Sequence, residues 1–421
     1  MEEREGGPVV VIGAGAAGTM AAIFAAGAGA PVLLCERTRD GGRKILISGG
    51  GRCNVLPSRM EPSRFITASS PNTMRKMLRS WPLEGQRRFF EEELQLPLVL
   101  EPDSGKLFPA SNRARDVRDG LLELARRRGA RLRFGSAVVG MRSPEGGRGW
   151  QVLLEDDGTI EAGAVVIATG GLSVPQTGSD GTGMRIVARL GHTLHETYPA
   201  LTPLTGKSGV HHSLSGVSLD VTLRAPPPGG PLETRGGFLF THRGYSGPAV
   251  LDISHLAVRS HGDPRQQILV QWTDADTDTW DERLRASKQG TVGSIVRRAL
   301  PARLANALLA EGGLDPGESL AQLRREDRAS LVTTLSRYPL PWTGHEGYKK
   351  AEVTGGGVPL EEIHPGTMES RIAPGLFLCG EILDCFGPIG GYNFLWAWAT
   401  GRAAGLGASG SLESLRARGK A

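Results

Sequence analysis

Cys53 stands between Arg52 and Asn54 at the end of the stretch GRKILISGGGRCN, Gly42–Asn54. A cation beside a thiol lowers its pKa and makes it reactive. Cys53 is therefore a candidate proton donor, set against the alternative of a small buried thiol. His242, within FTHRGYSGPAV, is a second candidate acid because imidazole titrates near neutrality. Its alternative is a structural hydrogen bond, and Tyr245 is a third, weaker choice. Glycines 49–51 remove side chains and leave N–H groups free to face a ligand. Arg43, Lys44 and Arg52 can offset negative charge, with Ser48 and Asn54 at the edges of the glycine run. Alone, the stretch reads equally well as a glycine-rich linker with a charged rim.

Such groups need a scaffold, and the chain opens with one. PVVVIG, Pro8–Gly13, is a short apolar run that suits a buried parallel strand. GAGAAG, Gly13–Gly18, follows at once, then the Ala-rich helical stretch TMAAIFAAGAG, then a second strand, PVLLCE, ending in Glu36 with Arg37 behind it. Gly13 permits the tight turn, Gly15 lets backbone approach a pyrophosphate, and Gly18 lets helix and strand pack closely. Ala16 and Ala17 complete the helix start, whose free N–H groups attract phosphate. Glu36 can accept hydrogen bonds from a ribose. A second match to the pattern, GLGASG, Gly405–Gly410, follows the helix-like WAWATGRAA instead of a strand and is discarded.

Two further strands end in small or acidic residues. AGAVVIATGG places Thr169 and Gly170 at its end, and GLFLCGEILD places Gly380 and Glu381. GPIGGYNFLWAWATGRAAG then reads as a turn through Gly390 and Gly391 into a helix starting at Tyr392 and Asn393, with Trp396 and Trp398 deeper and core-like. Strand ends of one parallel sheet face the same crevice. Together they make a groove long enough for a dinucleotide. Glu36 and Asp384 also have ordinary surface alternatives.

Here the chain resembles the YhiN/BaiN-like flavoproteins, FAD-binding enzymes often labelled an aminoacetone-oxidase family. The matching stretches are GAGAAG, ERTRDGGRKILISGGGRCNV, LFPASNRARDV, ATGGLSVPQTGSDGTG, FLFTHRGYSGPAVL, AEVTGGGV and GLFLCGEILDCFGPIGGYNFLWAWATG, spanning residues 9–405. The resemblance implies an α/β fold: a glutathione-reductase-like FAD-binding Rossmann domain with an inserted β-barrel plus helical domain. It also implies noncovalent FAD, with the Gly42–Asn54 stretch running along it toward the isoalloxazine ring. Glu381 then suits a ribityl hydroxyl, its alternative being an ordinary acid at a helix N-terminus. The helix after Gly390 would bring its positive end to the flavin pyrimidine, and the His242 turn would approach from the insert.

The residues support this division independently. VSLDVTLRA, GGFLFTHR and QQILVQW read as short strands, while DTWDERLRA, VGSIVRRALPARLANALLA, ESLAQLRRE and RASLVTTLSRY have helical spacing. The expected organisation is a first FAD-binding part over 1–193, an insert over 194–345 and a second FAD-binding part over 346–421. Within the insert the barrel covers about 194–275 and the helical part about 276–345.

Composition narrows the function. The chain has 421 residues and a formal net charge of +5, and residues 37–133 hold 21 Lys/Arg against 11 Asp/Glu. That segment can hold phosphates or RNA, with NRARDVR and ARRRGARLR as candidate contacts, although 41 of the 49 cations are Arg, which can be a habit of composition. The uncharged run Val9–Cys35 is interrupted by glycines and Pro31, so it is not a membrane span, and MEEREGG is a poor signal-peptide start. Four cysteines without CxxC spacing fit a cytoplasmic protein with reduced thiols, and no metal site is expected.

No second strand–GxGxxG–helix unit offers a place for NAD(P)H, so a nicotinamide docks transiently or another donor reduces the flavin. Three functions follow. The first is reduction of a carbon–carbon double bond conjugated to a carbonyl. By resemblance its substrate is uridine in ribosomal RNA, giving dihydrouridine, or an unsaturated steroid-like molecule. The second is oxidation of a small amine. The third is a non-enzymatic, flavin-stabilised RNA-binding role.

Overall fold

A computed structural model describes residues 7–143, 149–207, 209, 211–227, 232–260, 265–287 and 289–419. The chain divides into two compact units: Met1–Thr197 with Val353–Ala421, and Tyr198–Glu352.

The first unit is built on a five-stranded sheet. Its order is Leu376–Leu378, Ala164–Ile167, Val9–Ile12, Val32–Glu36, Arg131–Phe134, and every pairing is parallel. The central strand, VVVI, and its neighbour AVVI are buried along their whole length. That is what strands covered on both faces require, and it explains why their sequences do not alternate. From Val9–Ile12 the chain winds first toward Arg131–Phe134 and then returns to the other side. The switch therefore falls between Ile12 and Ile167, where open α/β sheets bind ligands.

The helix Ala16–Gly27 packs on the C-terminal helix Tyr392–Gly419 at a distance set by glycine. A Cβ added to Gly401 would lie 2.3 Å from Ala17 O, and one at Gly405 would lie 2.3 Å from Ala21 O. No larger residue fits without driving the helices apart. GLGASG thus lies wholly inside a helix and has no phosphate-binding turn.

The second unit holds a seven-stranded antiparallel sheet. Its two edge strands, Tyr338–Pro339 and Trp342–His345, come from neighbouring residues, so the sheet curls back on itself. Four helices, Thr277–Ala286, Val292–Ala299, Ala302–Glu311 and Arg325–Ser336, share its apolar core. Two features depart from the sequence expectation. Pro248–Val258 is a helix within the stretch expected to be barrel, and the two edge strands lie within the stretch expected to be helical.

Candidate functional site

The first turn behaves as its glycines require. Gly13 has φ +102°, and an added Cβ would sit 2.6 Å from Ala168 O across the switch point. A Cβ on Gly18 would sit 1.8 Å from Gly13 O. Gly15 is different: a Cβ there meets nothing within 4 Å. The space over Gly15, at the N-terminus of a 12-residue helix begun by Ala16 and Ala17, is an open cradle of the kind a pyrophosphate fills.

Glu36 is buried at the end of its strand. Its Oε2 accepts from Ala14 N–H at 2.8 Å, and its Oε1 accepts from Thr38 N–H at 2.8 Å and Thr38 Oγ1 at 2.7 Å. The ordinary surface alternative is thereby replaced by a fixed carboxylate beside the glycine turn. Arg37 pairs with Asp180. Burial alone would raise the Asp180 pKa, but hydrogen bonds from Thr182 and Arg37 outweigh it and bring the carboxyl down to about 2.

Gly42 N–H donates to Ala14 O at 2.8 Å, tying the Gly42–Asn54 stretch to the same turn. Arg43–Ile47 is a short helix, with Arg43 held to Asp40 at 2.7 Å. Ser48–Gly51 is a tight turn in which Gly49, Gly50 and Gly51 all have left-handed φ, at 56°, 68° and 86°. A Cβ on Gly50 meets nothing within 4 Å, so this exposed turn offers bare backbone to a ligand.

Lys44 reaches inward instead. Its Nζ lies 2.5 Å from Glu381 Oε2 and donates to Ser173 Oγ at 2.6 Å. Ser173 Oγ donates to Glu381 Oε1 at 2.6 Å, and Thr354 donates to the same oxygen from N at 3.1 Å and Oγ1 at 2.9 Å. Thr354 Oγ1 in turn accepts from Leu172 N and Ser173 N. Ser173 and Thr354 were not expected from sequence. Their positions in ATGGLS and AEVTGGG were the signal, since both lie in the stretches that carried the resemblance.

Gly170 follows Thr169, which packs under the helix Thr182–Arg189: a Cβ on Gly183 would sit 2.0 Å from Thr169 Oγ1. Gly380 is gripped on both sides, its N–H donating to Thr400 Oγ1 and its O accepting from Trp396 Nε1. Gly390 and Gly391 form the turn before the helix that starts at Tyr392. Asn54, with its amide oxygen accepting from Gly391 N–H at 2.9 Å and its nitrogen donating to Leu56 O at 3.2 Å, joins the two glycine turns. Tyr392 points away to Arg59 O and Arg64, and Asn393 closes the loop onto Gly387. Trp396 and Trp398 are core residues.

Two expectations change. The Cys53 thiol is fully buried, and burial pushes its pKa up to about 12 despite a hydrogen bond with Ser48. Arg52 does not lower it, because the guanidinium turns out to Glu101 at 2.9 Å and over the Phe108 ring at 4.0 Å. Cys53 therefore carries its proton but has no thiolate reactivity at neutral pH. Asp384, expected to have a surface alternative, is buried and bonded to His195. His242 is exposed on the turn after Leu232–Phe240 in the second unit, while the glycine turns, Lys44 and Glu381 all belong to the first.

The chain matches the HI0933-like protein Rossmann domain family over residues 7–407, and it belongs to that family. The ribosomal RNA dihydrouridine synthase of Escherichia coli is 34% identical over 93% of this chain and 95% of that protein. The 3-dehydro-bile acid delta(4,6)-reductase of Clostridium scindens is 30% identical over 95% of this chain and 98% of that protein. Among solved structures, the 3-ketosteroid-delta4-(5alpha)-dehydrogenase of Rhodococcus jostii RHA1 shares the fold, with a TM-score of 0.52 at 15% identity, covering 96% of each chain. The chain is an FAD-dependent oxidoreductase with an FAD-binding Rossmann fold. No helix among the described residues is long and apolar enough to cross a membrane.

Proposed function

We propose that the protein reduces a carbon–carbon double bond conjugated to a carbonyl, with uridine in ribosomal RNA as the substrate and dihydrouridine as the product. The carrying observation is the pair of relatives named for ribosomal RNA dihydrouridine synthesis, at 34% and 31% identity and near full length. The bile acid reductase at 30% identity supports the same chemical step on another ring. The basic 37–133 segment favours the polyanionic substrate over the steroid.

In this reading the pyrophosphate of noncovalent FAD lies over Gly15 and the helix start, and its adenosine ribose lies by Glu36. Glu381 meets the ribityl chain, and the flavin ring lies by Gly49–Gly51 and the Gly390–Gly391 turn. Bound FAD supplies hydride chemistry, and a nicotinamide, NADH or NADPH, is the reductant. Lys44 holds Glu381 in place, and Asn54 fixes the spacing of the two glycine turns. The compartment is the cytoplasm, where ribosomal RNA and reduced thiols occur together.

The test is nucleoside mass spectrometry of ribosomal RNA from cells with and without the gene. Dihydrouridine should disappear in its absence and return with the wild-type gene but not with Glu381→Ala. Unchanged dihydrouridine would overturn the RNA assignment. Return with Glu381→Ala would instead favour a non-enzymatic RNA-binding role.

A further inference from the structure

His195 Nδ1 lies 2.9 Å from Asp384 Oδ2. The Asp384 side chain is only 4% exposed, while that of His195 is 34% exposed. Asp384 Oδ2 also accepts from Ala68 N–H at 2.9 Å, Ser69 N–H at 3.0 Å and Ser69 Oγ at 2.8 Å, while Thr67 Oγ1 donates to the Asp384 backbone O at 2.6 Å. A carboxylate held by this many donors stays put and accepts only. The His195 Nδ1–H is thus committed to it, which fixes the tautomer and leaves Nε2 as the other nitrogen of a part-exposed ring.

The dyad is tied to the segment that carries Glu381 and Gly390, and to the strand that supports Glu381. Asp384 lies between Glu381 and Gly390, and its N–H donates to Val358 O at 2.9 Å. Behind His195, the carbonyl of Glu196 packs where a Cβ on Gly356 would stand, 2.1 Å away. Thr354, which donates to Glu381, belongs to that same strand, Val353–Gly357.

Resting on the reductase reading above, we propose that His195 is the catalytic proton donor and Asp384 its positioning residue. Saturating the double bond breaks one π bond and forms two C–H bonds, one with the hydride and its two electrons that FAD, once reduced by the nicotinamide, would supply and one with a proton. The proton leaves Nε2 of the protonated ring for the carbon next to the carbonyl. The neutral ring, still anchored through Nδ1–H, regains a proton from water.

The experiment uses FAD-loaded protein reduced anaerobically with dithionite. It is then mixed with ferricyanide, which takes electrons alone, or with ribosomal RNA from gene-deleted cells, which needs a proton as well. His195→Gln should reoxidise normally with ferricyanide and about 100-fold more slowly with RNA, the scale of a lost general acid. Added imidazole should restore part of that rate, and Asp384→Asn should show a smaller loss with RNA only.

A readout independent of turnover is diethyl pyrocarbonate labelling of His195 in the wild type, followed by mass spectrometry, with the RNA protecting the ring. An undiminished RNA rate in His195→Gln, equal slowing with both acceptors, or labelling that RNA leaves unchanged would overturn the donor assignment. Wild-type flavin that ferricyanide reoxidises and RNA does not would overturn the RNA reading and the donor role together.

Discussion

Lys44 Nζ and Glu381 Oε2 are separated by 337 positions in sequence and 2.5 Å in space. The pair is mostly shielded, with side chains 24% and 16% exposed. Removing one partner of a buried pair leaves an uncompensated charge, which costs about 3–5 kcal/mol when burial is complete. Partial exposure reduces this, so Lys44→Met should lower stability by about 1–3 kcal/mol in urea unfolding of the FAD-free protein. The double variant Lys44→Met, Glu381→Gln should recover most of that loss and still bind FAD at least about tenfold more weakly, a difference of about 1.4 kcal/mol. Wild-type FAD affinity in the double variant would remove both residues from the cofactor site.

Gly15 and Gly18 differ in what a methyl group meets. At Gly18 it collides with Gly13 O at 1.8 Å, and at Gly15 it enters open space. Gly18→Ala should therefore destabilise the FAD-free protein by several kcal/mol, beyond the ~1 kcal/mol centre of ordinary substitutions. Gly15→Ala should leave its thermal midpoint nearly unchanged and yet weaken FAD binding severely. Calorimetry with and without FAD separates the two. Equal effects of Gly15→Ala on both forms would show that no ligand fills that space.

The glycine turn was legible from sequence because its constraints are backbone constraints, local to Gly13–Gly18 and its two flanking strands. The Cys53 environment was not, because proximity in sequence to Arg52 says nothing of where the guanidinium goes. The fold sends it to Glu101, 49 positions away. Likewise Asp384 looked ordinary because its partner His195 lies 189 positions earlier. The helix Pro248–Val258 did leave a signal: Pro248 at the first helical position, after Gly247 with φ 95°. The strand-and-turn pattern of the preceding residues overlaps the apolar spacing of Ala249, Val250, Ile253 and Ala257, which is helical.

Ser370, His192 and Glu362 have the outline of a hydrolytic triad. Ser370 Oγ lies 2.8 Å from His192 Nε2, and His192 Nδ1 lies 2.6 Å from Glu362 Oε2. The hydroxyl, however, already accepts from Ile372 N–H at 3.0 Å and Ala373 N–H at 2.8 Å, and Ser370 is only 3% exposed. With its proton given to His192 and both lone pairs occupied, it is a buried clip. A fluorophosphonate should not label Ser370, and Ser370→Ala should cost about 1–3 kcal/mol by leaving buried groups unpaired. Labelling at Ser370, read by mass spectrometry, would overturn this.

All four cysteines are free and buried, and burial raises each thiol pKa from its ordinary value of 9.0: Cys35 to about 11, Cys53 to about 12, and Cys379 and Cys385 further. Because the unfolded thiols ionise first, the unfolded state binds fewer protons once the pH passes about 9. The stability contribution of these groups is complete below that pH and is lost as pH rises from there through the folded values. The slope is about 1.4 kcal/mol per pH unit for each thiol while the pH lies between its unfolded and folded pKa. Urea midpoints of the FAD-free protein should therefore be level from pH 7 to about 8.5 and fall steeply by pH 10. Cys53→Ala should make that fall shallower by one thiol's share, at the cost of a small cavity at lower pH. A midpoint independent of pH up to 10, or a slope unchanged by Cys53→Ala, would show that Cys53 is not held protonated by burial. Cys53 would then return as a reactive thiol beside the glycine turn.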